Sequence, residues 1–263
     1  MLRARLLTAA LALPLLIGLI SYAPPWLFSG ILLVCTGLGL YEYFSLLGAQ
    51  LSFSPVLGIA WGMAIAIALL LLDANVASAV IVGGLFLAFF LALAEKNPQR
   101  GIQSVSETLL GVLYVGFLVP HLALLRQMPD GIGWVFFVFL VAMVGDTAGY
   151  AVGRTWGKRK LLPHISPGKT VEGSLGSVVG NLGGAACAWL WFFPQRSLVE
   201  FMCLGLAAGL LAQAGDLCES AIKRAFGAKD SGHLLPGHGG ILDRLDSLLF
   251  PAAFIYYYEQ LLR

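Results

Sequence analysis

From Leu6 to Tyr41 the chain carries no charged side chain. A run of that length is too long for one element of a soluble core. It is long enough for two crossings of a ~30 Å hydrocarbon layer at roughly 20 residues each. Pro24 and Pro25 divide it, because proline lacks the N–H that would continue a helix and its ring clashes with the preceding turn. The rest of the chain repeats the pattern: 59% of its residues are hydrophobic and 11% charged, against about 45–50% and 25% in soluble domains. Lipid is therefore the solvent for most of this sequence. The opening MLRAR followed by an apolar stretch resembles a secretory signal, but the length of the uncharged run favours a retained first membrane helix.

Nearly charge-free stretches predict an all-α, polytopic integral membrane protein with about nine transmembrane helices, near 4–22, 26–46, 54–72, 76–94, 105–125, 132–153, 174–193, 198–222 and 242–261. The connecting segments YAPPW, LLDANV, EKNPQRG, RQMPDG and FFPQRS carry the residues that stop helices. With the N-terminus in the cytoplasm, alternation across nine spans puts 13 of the 16 Lys and Arg inside. Only Arg126, Arg196 and Arg263 fall outside. That is the expected sign of the bias and predicts an inner or plasma membrane protein. The net charge of +2, with bases scattered among acids, argues against a nucleic-acid partner. Cys35, Cys187, Cys203 and Cys218 stand in apolar surroundings without C-x-x-C spacing, so a zinc or disulfide framework is not expected.

Polarity is uneven along the chain. Residues 1–135 read as plain N-terminal spans with Glu42 the main acidic intruder, and residues 136–263 as a catalytic region with cytoplasmic loops. Gly145, Gly149 and Gly153, at a spacing of four, would let a neighbouring helix approach closely. From Asp216 to Ser247 five acids, four bases and two histidines interrupt the apolar text. Asp216, Glu219, Ser220 and Lys223 fall at i, i+3, i+4 and i+7, on one helical face. Ionisable residues on such a face are expensive in lipid and are by default functional. Beyond a Gly/Pro-rich turn, Asp243 and Asp246 recur at i, i+3 at a helix start, where one of them could serve only as a cap.

Several carboxylates of this kind, with oxygen donors alone, suit Mg²⁺. Lys223, Arg224, Lys229, His238 and Arg244 around them could hold anionic oxygens. A second patch, Val144 to Gly176, places Asp146 near the inner end of a span, followed by Arg154, Lys158, Arg159 and Lys160, which either set topology or attract an anionic headgroup. SPGKT within it is not a P-loop, since the first required glycine is Pro163. What remains is Ser166, Lys169 and Thr170 with Glu172, suited to phosphate contacts. Together the parts resemble a phosphoryl-transfer site.

At this point the sequence is similar to a known family, the phosphatidate cytidylyltransferases or CDP-diglyceride synthetases. Their signature is met at Ser220, Ile222, Lys223, Arg224, Lys229, Asp230, Gly232, Leu235, Pro236, His238, Gly239, Gly240, Ile241, Asp243, Arg244, Leu245 and Asp246. Asp146-Thr147, SPGKTVEG and GDLCES also fit, although the family usually has a further Lys or an aromatic residue where Gly168 and Val171 stand. The resemblance is specific over roughly residues 140–250.

It implies a homodimeric, Mg²⁺-dependent membrane enzyme whose site opens to the cytoplasm and the inner leaflet. The reaction would be CTP (or dCTP) with phosphatidic acid, giving CDP-diacylglycerol and pyrophosphate. In that setting Asp216, Asp243 and Asp246 would hold metal, with Asp146 serving a second cation or supporting the first. Lys223, Arg224, Lys229 and Arg244 would offset phosphate charge. Ser220, His238 and the Gly239-Gly240 backbone would orient oxygens, and Asp230 and Glu219 complete the set. The CDP-alcohol phosphotransferases are excluded because their D-G-x2-A-R…G-x3-D-x3-D string is missing. An ion-coupled transporter would place polar residues at the bilayer midplane in both halves, whereas here they gather at one edge of one half.

Overall fold

A computed structural model describes residues 13–48, 54–232, 234 and 239–262. His238 therefore lies outside the described residues. The described residues fold into ten α-helices and one hairpin. These are α1 (Leu13–Tyr22), α2 (Pro25–Leu47), α3 (Pro55–Leu71), α4 (Ala74–Leu93), α5 (Pro98–Gly111) and α6 (His121–Gln127), then α7 (Gly131–Trp156), β1 (Lys160–Leu162), β2 (Ser166–Thr170), α8 (Val171–Phe192), α9 (Leu198–Ala225) and α10 (Leu242–Leu261). A π-helical segment, Val112–Phe117, carries α5 on toward α6.

The expected count of nine spans is not met. Among the described residues six helices are long and apolar enough to cross a membrane: Pro25–Leu47, Ala74–Leu93, Pro98–Gln127, Gly131–Trp156, Val171–Phe192 and Leu198–Ala225. Three expected spans drop out for different reasons. The first is described only as the ten-residue helix Leu13–Tyr22. The third is the 17-residue Pro55–Leu71, which at 1.5 Å per residue falls short of a ~30 Å core. The last, α10, is long enough but carries Asp243, Arg244, Asp246 and Glu259. With nine spans gone, the strict alternation of sides that rested on them goes too. The protein remains an all-α, polytopic membrane protein.

The chain divides into two compact units. One comprises Pro24–Leu124 and Asp230–Asp243. Its helices start where the sequence supplies a stop or a cap. Pro25 and Pro55 occupy first-turn positions, where a missing N–H costs nothing. Asp73 Oδ1 accepts from the N–H groups of Asn75 (2.7 Å) and Val76 (3.0 Å) to open α4. Helix α3 packs against α2, α4 and the π-helical segment. At Gly116 a side chain would strike the backbone of Gly62, 2.6 Å from its Cα.

The other unit comprises Met1–Ala23, Leu125–Lys229 and Arg244–Arg263. In it α7 and α8 lie backbone to backbone. A methyl group on Gly180 would sit 2.6 Å from the Val144 carbonyl oxygen, and one on Gly173 2.9 Å from that of Gly149. The spaced glycines thus do what their spacing predicted. Lipid gives helices no hydrophobic reason to associate, so close packing of this kind supplies the adhesion.

At the start of α7 an aromatic cluster joins three helices. Trp134 stacks on Phe201 (5.4 Å between ring centres) and tilts against Phe193 (4.5 Å). Arg196 lies 5.2 Å over the Trp134 ring and pairs with Glu200 and Glu259. This fixes one end of the unit and leaves the C-terminal end of α7 for the site.

Candidate active site

The hairpin between α7 and α8 owes its form to short-range bonds. Leu162 and Ser166 face each other across the antiparallel pair, as do Lys160 and Thr170. Glu172, in the first turn of α8, accepts from the backbone N–H groups of Lys158 (3.0 Å) and Arg159 (3.1 Å). Thr170 caps α8 through Oγ1, which accepts from Gly173 N–H at 3.0 Å. Arg224, at the end of α9, donates to the carbonyls of Ile165 (3.3 Å) and Ala228 (2.7 Å). The strand that carries Lys169 is thereby held on both sides.

Under this hairpin lies a cavity of about 510 Å³. Asp146, Tyr150 and Arg154 line it from α7, Ser166, Lys169 and Thr170 from the hairpin, Ser174 and Ser177 from α8, and Gln213 and Asp216 from α9. Lys169 reaches across to Asp216, with Nζ 2.6 Å from Oδ2, both side chains a little under a third exposed. Ser220, one turn on, lies 3.5 Å from Asp216 Oδ1. Asp146 and Asp246 both sense the charge of Asp216. Asp246, on a helix outside the six spans, is pushed up to about 7 by burial, with the nearby Asp216 adding to the effect. Its Oδ1 accepts from Ser247 N–H at 2.6 Å. Three carboxylates thus lie within electrostatic reach of one another, with Lys169 against Asp216, Lys223 acting on Asp246 and Arg154 in the cavity wall.

Glu219 and Lys223 pair with each other one turn apart, both buried. Lys229, Asp230 and Arg244 are exposed. Asp243 and Gly240 belong to a turn of the other unit, where Asp243 Oδ2 accepts from Gly240 N–H (2.8 Å) and Ser231 N–H (3.0 Å) and lies 3.0 Å from the Ser231 hydroxyl, whose one proton it shares with Glu42. Gly239 has a φ of 79°, which only glycine adopts without strain.

Sequence reasoning passed over Gln213, Ser174 and Ser177. The Ser174 hydroxyl donates to Gln213 Oε1, and Gln213 stands one turn before Asp216 on the same helical face. That i, i+3 relation was the signal available.

The donor set of the cavity is oxygen only, as a hard divalent cation requires. Among the described residues no group of three or more His, Cys, Asp and Glu side chains is arranged to hold a metal ion. Mg²⁺ commonly takes one or two carboxylates and completes its shell with water and substrate phosphates. Asp216 with Asp146 or Asp246 fits that chemistry.

The fold defines a polytopic membrane protein whose polar chemistry is gathered at helix ends. Comparison with known proteins gives the family. The profile described as the cytidylyltransferase family matches residues 3–262. A phosphatidate cytidylyltransferase of Brucella suis is 38% identical over 229 residues, covering 85% of this chain and 81% of the relative. That of Synechocystis is 32% identical over 291 residues, covering 98% and 96%. That of Bacillus subtilis is 40% identical over 149 residues, covering 56% and 55%. The chain belongs to the phosphatidate cytidylyltransferase family, and is a nucleotidyltransferase.

Proposed function

We propose that the cavity under the α7–α8 hairpin is where this chain carries out its family's reaction, the transfer of a cytidylyl group from CTP to phosphatidic acid. The products are CDP-diacylglycerol and pyrophosphate. The observation that carries the assignment is the Lys169–Asp216 pair in the wall of a cavity shared with Asp146. An ion pair open to a cavity can exchange partners, the lysine for phosphate oxygens and the carboxylate for a cation.

A phosphatidate oxygen attacks the α-phosphorus of CTP, a P–O bond forms, and the bond to the β-phosphate breaks with pyrophosphate leaving. The nucleophile is already an anion, so no strong base is needed; positioning and neutralisation dominate. Lys169 offsets phosphate charge. Ser166, Ser174, Ser177 and Thr170 offer hydroxyls along the wall, and Arg154, hydrogen-bonded to Tyr150 at 2.9 Å, stands at its exposed side. Asp216, with Asp146 or Asp246, would hold Mg²⁺, which when bound neutralises the triphosphate.

The basic residues Arg154, Lys158, Arg159, Lys160, Lys169, Lys223, Arg224 and Lys229 all belong to this end of the sequence, which supports a cytoplasmic site. A homodimer and use of dCTP follow from the family resemblance.

The test is pyrophosphate release by purified protein given phosphatidic acid, Mg²⁺ and each nucleoside triphosphate in turn. Release is expected with CTP or dCTP and the matching lipid product. Asp216→Asn is expected to lower kcat by about 10³-fold. Near-normal turnover of Asp216→Asn at limiting Mg²⁺ would remove this cavity as the site.

A further inference from the structure

Glu42 is an acid near the C-terminal end of an otherwise uncharged span, 2% exposed. A buried carboxylate needs partners, and its partners come from the far end of the chain. Oε1 accepts from Ile241 N–H at 2.9 Å, and Oε2 accepts from Leu242 N–H and from the Ser231 hydroxyl, each at 3.0 Å. Ile241 and Leu242 stand at the start of α10, where N–H groups have no partner within the helix and the helix dipole favours an anion. Ser231 in turn ties this arrangement to Asp243, which holds the N–H groups of Ser231 and Gly240.

Two glycines of the turn are there for Glu42. A methyl group on Gly232 would lie 2.8 Å from Glu42 Oε1 and 2.9 Å from Cδ, and one on Gly240 would strike Oε2 and the Ser231 hydroxyl. The backbone must come this close for its N–H groups to reach the carboxylate.

We infer that Glu42 is a positioning residue: it caps α10 from another helix and sets the turn leading to Asp243, Arg244 and Asp246 in the shape that turnover requires. This rests on the reading of that segment as part of the catalytic region. Glu42 touches no reacting atom; it acts through the backbone of 239–243 and through Ser231. Its replacement by glutamine keeps the volume but turns an amide N–H₂ toward backbone N–H groups, donor against donor.

The experiment combines amide exchange with kinetics on the full chain in detergent. Glu42→Gln is expected to speed exchange of the Ile241 and Leu242 amides by about tenfold or more, leaving α7–α9 unchanged. It should lower kcat by about tenfold or more while KM for phosphatidic acid moves less than about threefold. Glu42→Asp, which keeps the charge one methylene short, should recover part of both. A kcat within about twofold of the parent, or exchange raised equally in every helix, overturns the proposal. If Glu42→Gln does not fold, Gly232→Ala presses on the same carboxylate and should reproduce both changes; a fully active Gly232→Ala would then overturn it. Full activity in Asp216→Asn instead sinks the cavity assignment and leaves the Glu42 result standing.

Discussion

Carboxylates gather in two places in this molecule, and they are held in opposite ways. In the cavity, Asp216 faces the flexible cation of Lys169 and the charges of Asp146 and Asp246. In the other unit, Glu42 and Asp243 are held by backbone N–H groups of residues 231 and 240–242 and by a serine hydroxyl. A carboxylate paired with a side chain can change partners when a ligand arrives; one that holds backbone cannot do so without moving the chain. The comparison separates acids that can exchange partners from acids that hold the backbone in place. Asp216 and Asp243 read alike in sequence and differ in this respect.

The comparison breaks most sharply at Asp216, whose change to Asn should abolish nearly all turnover while leaving exchange in the turn untouched. Lys169→Met is the next largest effect. Loss of its charge should lower kcat/KM for CTP by about 10²-fold and be read as a weaker dependence on nucleotide, with folding unchanged; parental kinetics would mean that the lysine is only a surface partner of Asp216. Glu172→Gln tests whether a shape-giving acid can sit beside the cavity. It weakens charge-assisted bonds to Lys158 and Arg159, and several-fold loss of turnover with increased protease cutting in the hairpin is expected. The smallest effect is that of Asp73→Ala, which removes a helix cap far along the sequence from either group. It should cost about 1 kcal/mol of stability, seen as a lower melting temperature, with kcat unmoved.

Much of this was legible in the residues. Leu6–Tyr41 declared a membrane protein because no water-soluble arrangement needs such a run. Helix number was not legible in full: the apolar text does not show that Pro55–Leu71 stops short, whereas the four charged residues of α10 were visible and told against counting it as a span. Asp146, Ser166, Lys169, Thr170 and Asp216 were found because ionisable and hydroxyl groups beside apolar helices stand out, and the structure lines one cavity with all five. Ser174, Ser177 and Gln213 were missed because neutral polar residues within a glycine-rich helix look like packing. Glu42 was visible as an intruder, but its hydroxyl partner Ser231 is 189 residues away, and no local periodicity connects positions that distant.

The seam between α7 and α8 has a consequence for how a two-tailed lipid meets the cavity. Helix backbones that touch, with carbonyl oxygens where side chains would otherwise stand, leave no crevice for an acyl chain to part them. That side of the cavity is a closed sill. On the reaction proposed above, the acyl tails would stay outside this seam, and the headgroup would come in by the side of the cavity that Tyr150 and Arg154 line.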